Sequence, residues 1–145
     1  ARFVAEKTEE WAVADDSGIM IDALGGKPGV FSARWAGEGA GDEGLVRHTL
    51  EQMKDVEEGR GAYFHSVVAL VSPDREEWTF EGVIGGQVVV TPRGTPRPKL
   101  AYDVLFQPLG YDKTFGQMSD EEKNALSHRG QAFEKLKTYL KSRKF

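Results

Sequence analysis

Asp15-Asp16-Ser17-Gly18 sets two carboxylates, a hydroxyl and a glycine side by side between two apolar runs, Trp11-Ala12-Val13-Ala14 and Ile19-Met20-Ile21. Neighbouring carboxylates repel, so clustering them is costly unless a cation or hydrogen-bond donors compensate. The chemistry this tetrad would serve is a hard divalent cation, chiefly Mg2+, together with a phosphate. The same four residues also make an ordinary solvated turn. Following Ala14, the tetrad is expected where a strand ends, the place at which α/β folds gather ligands.

A second constellation is Lys123, Ser127, His128 and Arg129. Ser127 can cap a helix whose first turn carries His128 and Arg129. The free N–H groups and positive dipole end of such a turn attract anions. Lys123 and Arg129 add the charge-assisted donors that suit a phosphate. The plainer alternative is surface charge around a helix-turn-helix. Tyr102-Asp103 follows a basic, proline-rich loop at 93–99. The ring could lie on a nucleotide base and the carboxylate could accept from base or ribose; the alternative is a core tyrosine beside a solvated acid. Arg34 could face phosphate or pair with a surface acid. His48 and His65 have no metal spacing and read as structural. The chain has neither a Walker-type phosphate loop nor a dinucleotide fingerprint.

The elements that must position these groups follow from periodicity and punctuation. Residues 1–9 read as a helix with Phe3 and Val4 on its apolar side and no capping residue before it. Residues 11–14 and 19–24 read as one strand and its continuation, or as two. Glycines and a Pro-Gly pair make 25–29 a turn, and 30–35 a short helix. Asp42 is expected to cap a helix reaching about Asp55. Residues 62–72, 76–80 and 83–90 read as strands, the first two joined as a hairpin by Pro73-Asp74. Residues 102–106 read as a further strand. Ser119 and Glu122 stand at capping-box spacing. The last helix carries Ala132, Phe133, Leu136, Tyr139 and Leu140 on one face. Its terminal Lys135, Lys137, Lys141, Arg143 and Lys144 complement the helix dipole. The sum is one α/β domain built on a mixed sheet.

Composition narrows the class. A chain of 145 residues can bury a real core as one domain. A net charge of −4 argues against general nucleic-acid binding. Cysteine is absent, which fits a reducing compartment. No apolar run reaches the ~20 residues of a membrane span, and no signal peptide is recognisable, so the cytoplasm is the expected location.

Four stretches together resemble the inosine/xanthosine triphosphate pyrophosphatases. They are Ala14 to Gly18, Asp22 to Arg34, Gly110 to Phe115 and Glu122 to Ala132. The resemblance runs over nearly the whole chain. It implies an elongated mixed sheet flanked by helices in two lobes, and a homodimer. It also implies Mg2+-dependent hydrolysis of deaminated purine nucleoside triphosphates to monophosphate and pyrophosphate. By position it makes Asp16 the metal-linked carboxylate and general base, supported by Asp15. Ser17 would touch the substrate, Tyr102 and Asp103 the base and sugar, and Lys123 the nucleotide, while His128 and Arg129 would read the purine 6-oxo group.

Two departures from the family pattern accompany this. A strand and a Thr/Ser-x-Asn-x-x-Lys phosphate loop usually precede the first residue here, so residues 1–145 are expected to form an ITPase-like domain without them. Leu100-Ala101 stands where the family has Phe-Gly, with an expected loss of an aromatic platform and a strained alanine at positive φ. A nucleotide-binding or interaction protein that keeps the fold without catalysis is the alternative reading.

Overall fold

The computed structural model describes residues 1–143. The chain opens with helix α1 (Arg2–Thr8), preceded by Ala1, which makes no side-chain cap bond. Only Ala5 of α1 is buried, against Ala12 and Val71. Phe3 and Val4, expected on its apolar side, are exposed. The short helix docks through one small residue because Ala5 alone faces the end of the sheet.

Strand β1 (Ala12–Ile21) follows, and it corrects the expected placing of the tetrad. Asp15-Asp16-Ser17-Gly18 lies inside a ten-residue strand, not at the end of one. β1 pairs along its whole length with β3 (Gly61–Val71), Asp15 opposite Val68, Asp16 opposite Val67 and Ser17 opposite Ser66. A continuous antiparallel ladder overrides the turn preference of Asp, Ser and Gly. The short strand β2 (Lys27–Gly29) pairs with the far end of β1. β4 (Glu77–Val88) returns from β3 through the hairpin at Pro73-Asp74, and β5 (Phe106–Pro108) closes the edge. The order is β2-β1-β3-β4-β5, and every pairing among the described residues is antiparallel.

Side chains alternate along each strand. Asp15, Ser17 and Ile19 of β1 therefore share a face with Ser66 and Val68 of β3 and with Phe80 and Gly82 of β4. Two clusters cover that face. Ile19, Ile21 and Phe64 join Leu105, Phe106 and Phe115 in the main core. Val68 and Leu70 pack against Ala132 and Leu136, from helix α4 (His128–Ser142). Each fully buried Leu, Ile or Phe contributes about 1.5–3 kcal/mol.

The remaining elements frame the chemistry. Helix α2 (Gly41–Gln52) begins one residue before Asp42. Asp42 does not cap it; its carboxylate accepts from Lys99 N–H at 2.8 Å. Residues 102–106, expected as strand, instead give a 3-10 turn, Ala101–Val104, followed by β5. Helix α3 (Asp120–Leu126) carries the expected capping box of Ser119 and Glu122, and Ser127 caps α4 by accepting from Gly130 N–H at 3.0 Å. Near the end of α4, Lys137 pairs with Glu134 and Lys135 donates to the Glu81 carbonyl. Lys144 lies outside the described residues.

Candidate active site

The middle of β1 and the joint between α3 and α4 face each other across a cleft of about 320 Å3. Asp15, Asp16 and Ser17 enter it from β1, Tyr102 and Asp103 from the 3-10 turn, and Lys123, His128 and Arg129 from the two helices. All eight residues singled out in the sequence therefore meet in one place. Arg34 lies elsewhere, its guanidinium 5.5 Å from the centre of the Phe31 ring. A larger groove of about 540 Å3, between α2 and the loop at 92–96, carries none of the eight.

The charges in the cleft are largely committed to one another. Lys123 Nζ donates to both Asp103 oxygens, at 2.8 and 2.6 Å. Arg97 adds a third bond to Asp103 Oδ2 at 3.1 Å. The rest of the Arg97 fork donates to the carbonyls of Phe115 and Met118 and to Asp120. Asp103 is 4% exposed, so this carboxylate is a buried anchor and not the solvated acid of the plainer reading. Burial lowers the Lys123 pKa from its ordinary value, against the opposite pull of Asp103. Arg97 carried no motif in the sequence; only its place in a basic, proline-rich loop marked it.

The two adjacent aspartates differ sharply in environment. Asp15 Oδ2 lies 2.8 Å from Arg129 Nε, tying β1 to the first turn of α4. Strand alternation turns the Asp16 side chain away from that ion pair, and the residue still lines the cleft. Its Oδ1 accepts from Ser17 N–H at 2.9 Å, and no cation pairs with it among the described residues. Asp16 is thus the carboxylate left available at the lip of the cleft.

An aromatic layer forms the floor. The His128 ring lies flat on Phe64, with centroids 4.5 Å apart and planes at 7°. Burial, then the charges of Arg129, Lys123 and His65, push the His128 pKa down to about 3. His128 is therefore a neutral imidazole at physiological pH. The Tyr102 hydroxyl donates to the Ser32 carbonyl at 2.7 Å, which leaves only its ring to a ligand. Ala101 sits in the 3-10 turn without positive φ, so the strain expected of alanine at this position is absent. The left-handed residue is Lys99, at φ 63, which also lines the cleft.

Among the described residues no three His, Cys, Asp or Glu side chains come together as a cation cage. Two carboxylates, one of them already paired, fit a cation completed by phosphate oxygens and water. Mg2+ is commonly held in that way.

The Ham1 family model matches residues 1–139. The chain belongs to the Ham1 family. Its backbone superposes on the Staphylococcus aureus Ham1 protein with a TM-score of 0.90 at 34% identity, covering 99% of this chain and 73% of that one. A nucleoside-triphosphatase / dITP/XTP pyrophosphatase from Mycobacterium abscessus is 41% identical with a TM-score of 0.78, covering 94% and 71%. The dITP/XTP pyrophosphatase of Streptomyces avermitilis is 45% identical over 137 residues, 94% of this chain and 68% of the relative. The α/β class and the family inferred from the four sequence stretches are both borne out.

Proposed function

We propose that this Ham1-family chain hydrolyses deaminated purine nucleoside triphosphates, dITP, ITP and XTP, to the monophosphate and pyrophosphate. The observation that carries the reading is the convergence of Asp16, Ser17, Lys123, His128 and Arg129 on one cleft. It is supported by relatives named dITP/XTP pyrophosphatase.

Asp16, with which no Lys or Arg pairs among the described residues, accepts a proton from a water that attacks the α-phosphorus. The α–β bridging bond breaks and pyrophosphate leaves with the electron pair. Asp16, with Asp15 beside it, would hold Mg2+, which would supply charge neutralisation on the polyphosphate. Lys123, kept in place by Asp103, donates to the substrate, whereas Ser17 lines the cleft with its hydroxyl buried. The base lies against the aromatic floor, with the Tyr102 ring at its side. Neutral His128 and Arg129 face the purine 6-position. An oxo group there accepts from these donors, whereas the amino group of adenine leaves a donor unpaired. Loss of such a bond discriminates strongly.

The test is product analysis with dITP, ITP, XTP, ATP and GTP, with Mg2+ and with a chelator. Pyrophosphate is expected as first product from the deaminated purines in the presence of Mg2+; orthophosphate first, or equal rates with ATP, rejects the reading. Asp16→Asn is expected to lower turnover by at least about 100-fold while calorimetry still detects nucleotide binding. Unchanged turnover removes Asp16 from its role.

A further inference from the structure

Three buried side-chain polar atoms have no hydrogen-bond partner among the described residues: Ser17 Oγ, Ser66 Oγ and His128 Nδ1. Such atoms are rare in folded proteins, because a buried polar group left unsatisfied loses its hydration without compensation. Their concentration at one place is therefore informative. Ser17 and Ser66 are directly opposed across the β1–β3 ladder, on the face that α4 covers.

Gly82 opposes Ser66 from the other side. A Cβ at Gly82 would overlap the His128 carbonyl oxygen, so the first turn of α4 is pressed onto the sheet at the level of Ser66. The His128 ring then runs over Phe64, two residues from Ser66 on the same face. Nδ1 of His128 is buried without a partner, like Ser66 Oγ, whereas Nε2 is not among the buried unpartnered atoms, and His128 lines the cleft.

We propose that Ser66 is a positioning residue for His128. The Ser66 hydroxyl, through one water shared with Ser17, acts on Nδ1 as a donor and fixes the tautomer in which Nε2 carries the proton. Two hydroxyls and an imidazole nitrogen supply the two to four polar partners that a buried water requires. The tautomer of a histidine is set by the bond its other nitrogen makes. Nε2–H then enters the cleft as a donor, the form that a 6-oxo group accepts and a 6-amino group does not. Ser66 itself is fully buried and touches no substrate. No motif marks it. The tautomer assignment stands without any enzymatic reading, whereas its link to base selectivity rests on the function proposed above.

The chain has three histidines, so nitrogen NMR of histidine-labelled protein resolves each ring, and His128→Gln identifies the signal in question. The wild type is expected to show His128 as a single Nε2–H tautomer. Ser66→Ala is expected to give a mixture, and Ser66→Cys, which keeps the size with a weak donor, an intermediate ratio. A wild type with Nδ1 protonated, or a tautomer indifferent to Ser66→Ala, overturns the proposal. Where the wild type hydrolyses dITP, Ser66→Ala is expected to narrow the dITP/dATP ratio of kcat/KM by about 10-fold, and an unchanged ratio overturns the link to selectivity. A wild type without activity but with the expected tautomer shift rejects the proposed reaction and leaves the positioning role standing.

Discussion

At the scale of single residues, the cleft is governed by how its charges are paired. Asp103 serves two cations at once, Lys123 and Arg97, at 4% exposure. Removing one member of a buried pair leaves the others desolvated without compensation, which typically costs about 3–5 kcal/mol. Asp103→Ala is accordingly expected to lose stability on that order in urea denaturation, whereas Asp15→Ala, at a half-exposed pair with Arg129, should lose under about 1 kcal/mol. Equal losses would show that Asp103 is not the anchor. His128 gives a pH signature. Its folded pKa of about 3 lies below the ordinary 6.5. Between those values the unfolded chain binds a proton that the folded chain refuses, so acidification from pH 6.5 toward 3 removes stability. The slope approaches about 1.4 kcal/mol per pH unit. Denaturation curves at several pH values should show this slope in the wild type and a shallower one in His128→Gln; parallel curves would contradict a buried neutral imidazole.

At the scale of elements, the site depends on how closely α4 lies on the sheet. Gly82 lacks the side chain that would collide with His128 O and Ala132 N, and Gly130 does the same for α4 against Asn124 O. Gly82→Ala must push backbone against backbone, with an expected loss of about 1–3 kcal/mol. It should also lift His128 from Phe64, read as a weakened ring-current shift of the imidazole protons. A stable variant with an unshifted ring would show that the approach is not tight. These dependencies explain what the sequence disclosed. Ser119, Glu122 and Ser127 announced α3 and α4 because caps are local chemistry, and the Pro73-Asp74 hairpin likewise. The tetrad was misplaced at a strand end because its residues favour turns locally, while the ladder that holds them extended is supplied by β3, more than 45 residues later. Residues 102–106 have strand composition. They turn as 3-10 because Asp103 must reach Lys123 and Tyr102 must reach Ser32, requirements that no periodicity records. Arg97 was marked only by its basic, proline-rich loop, and Ser66 by no local signal; most of the groups they serve lie far away along the chain.

At the scale of the whole molecule, the cleft is the seam at which the two larger core clusters join. β3 gives Phe64 to one and Val68 and Leu70 to the other. α4 starts on Phe64 through His128 and ends on the second cluster through Leu136. Arg129 and Asp15 stitch the same seam from opposite sides. With strand and helix both shared, neither cluster can open alone without breaking the other's contacts, and cooperative two-state unfolding is expected. A ligand in the cleft touches β1, the 3-10 turn and both helices, so it binds the folded state only and shifts the whole transition. Asp16→Asn provides the measurement free of turnover. With Mg2+ and dITP at about 100 times Kd, linkage adds about 2.7 kcal/mol, which for a chain of this size raises Tm by roughly 8 °C. The same concentration of dATP should raise it less, the stabilisation falling by about 1.4 kcal/mol for each tenfold that separates the two affinities. Two resolved transitions of which only one moves would place the nucleotide away from the seam, and no shift with dITP would mean that it does not bind; either result overturns the assignment of this cleft as the active site.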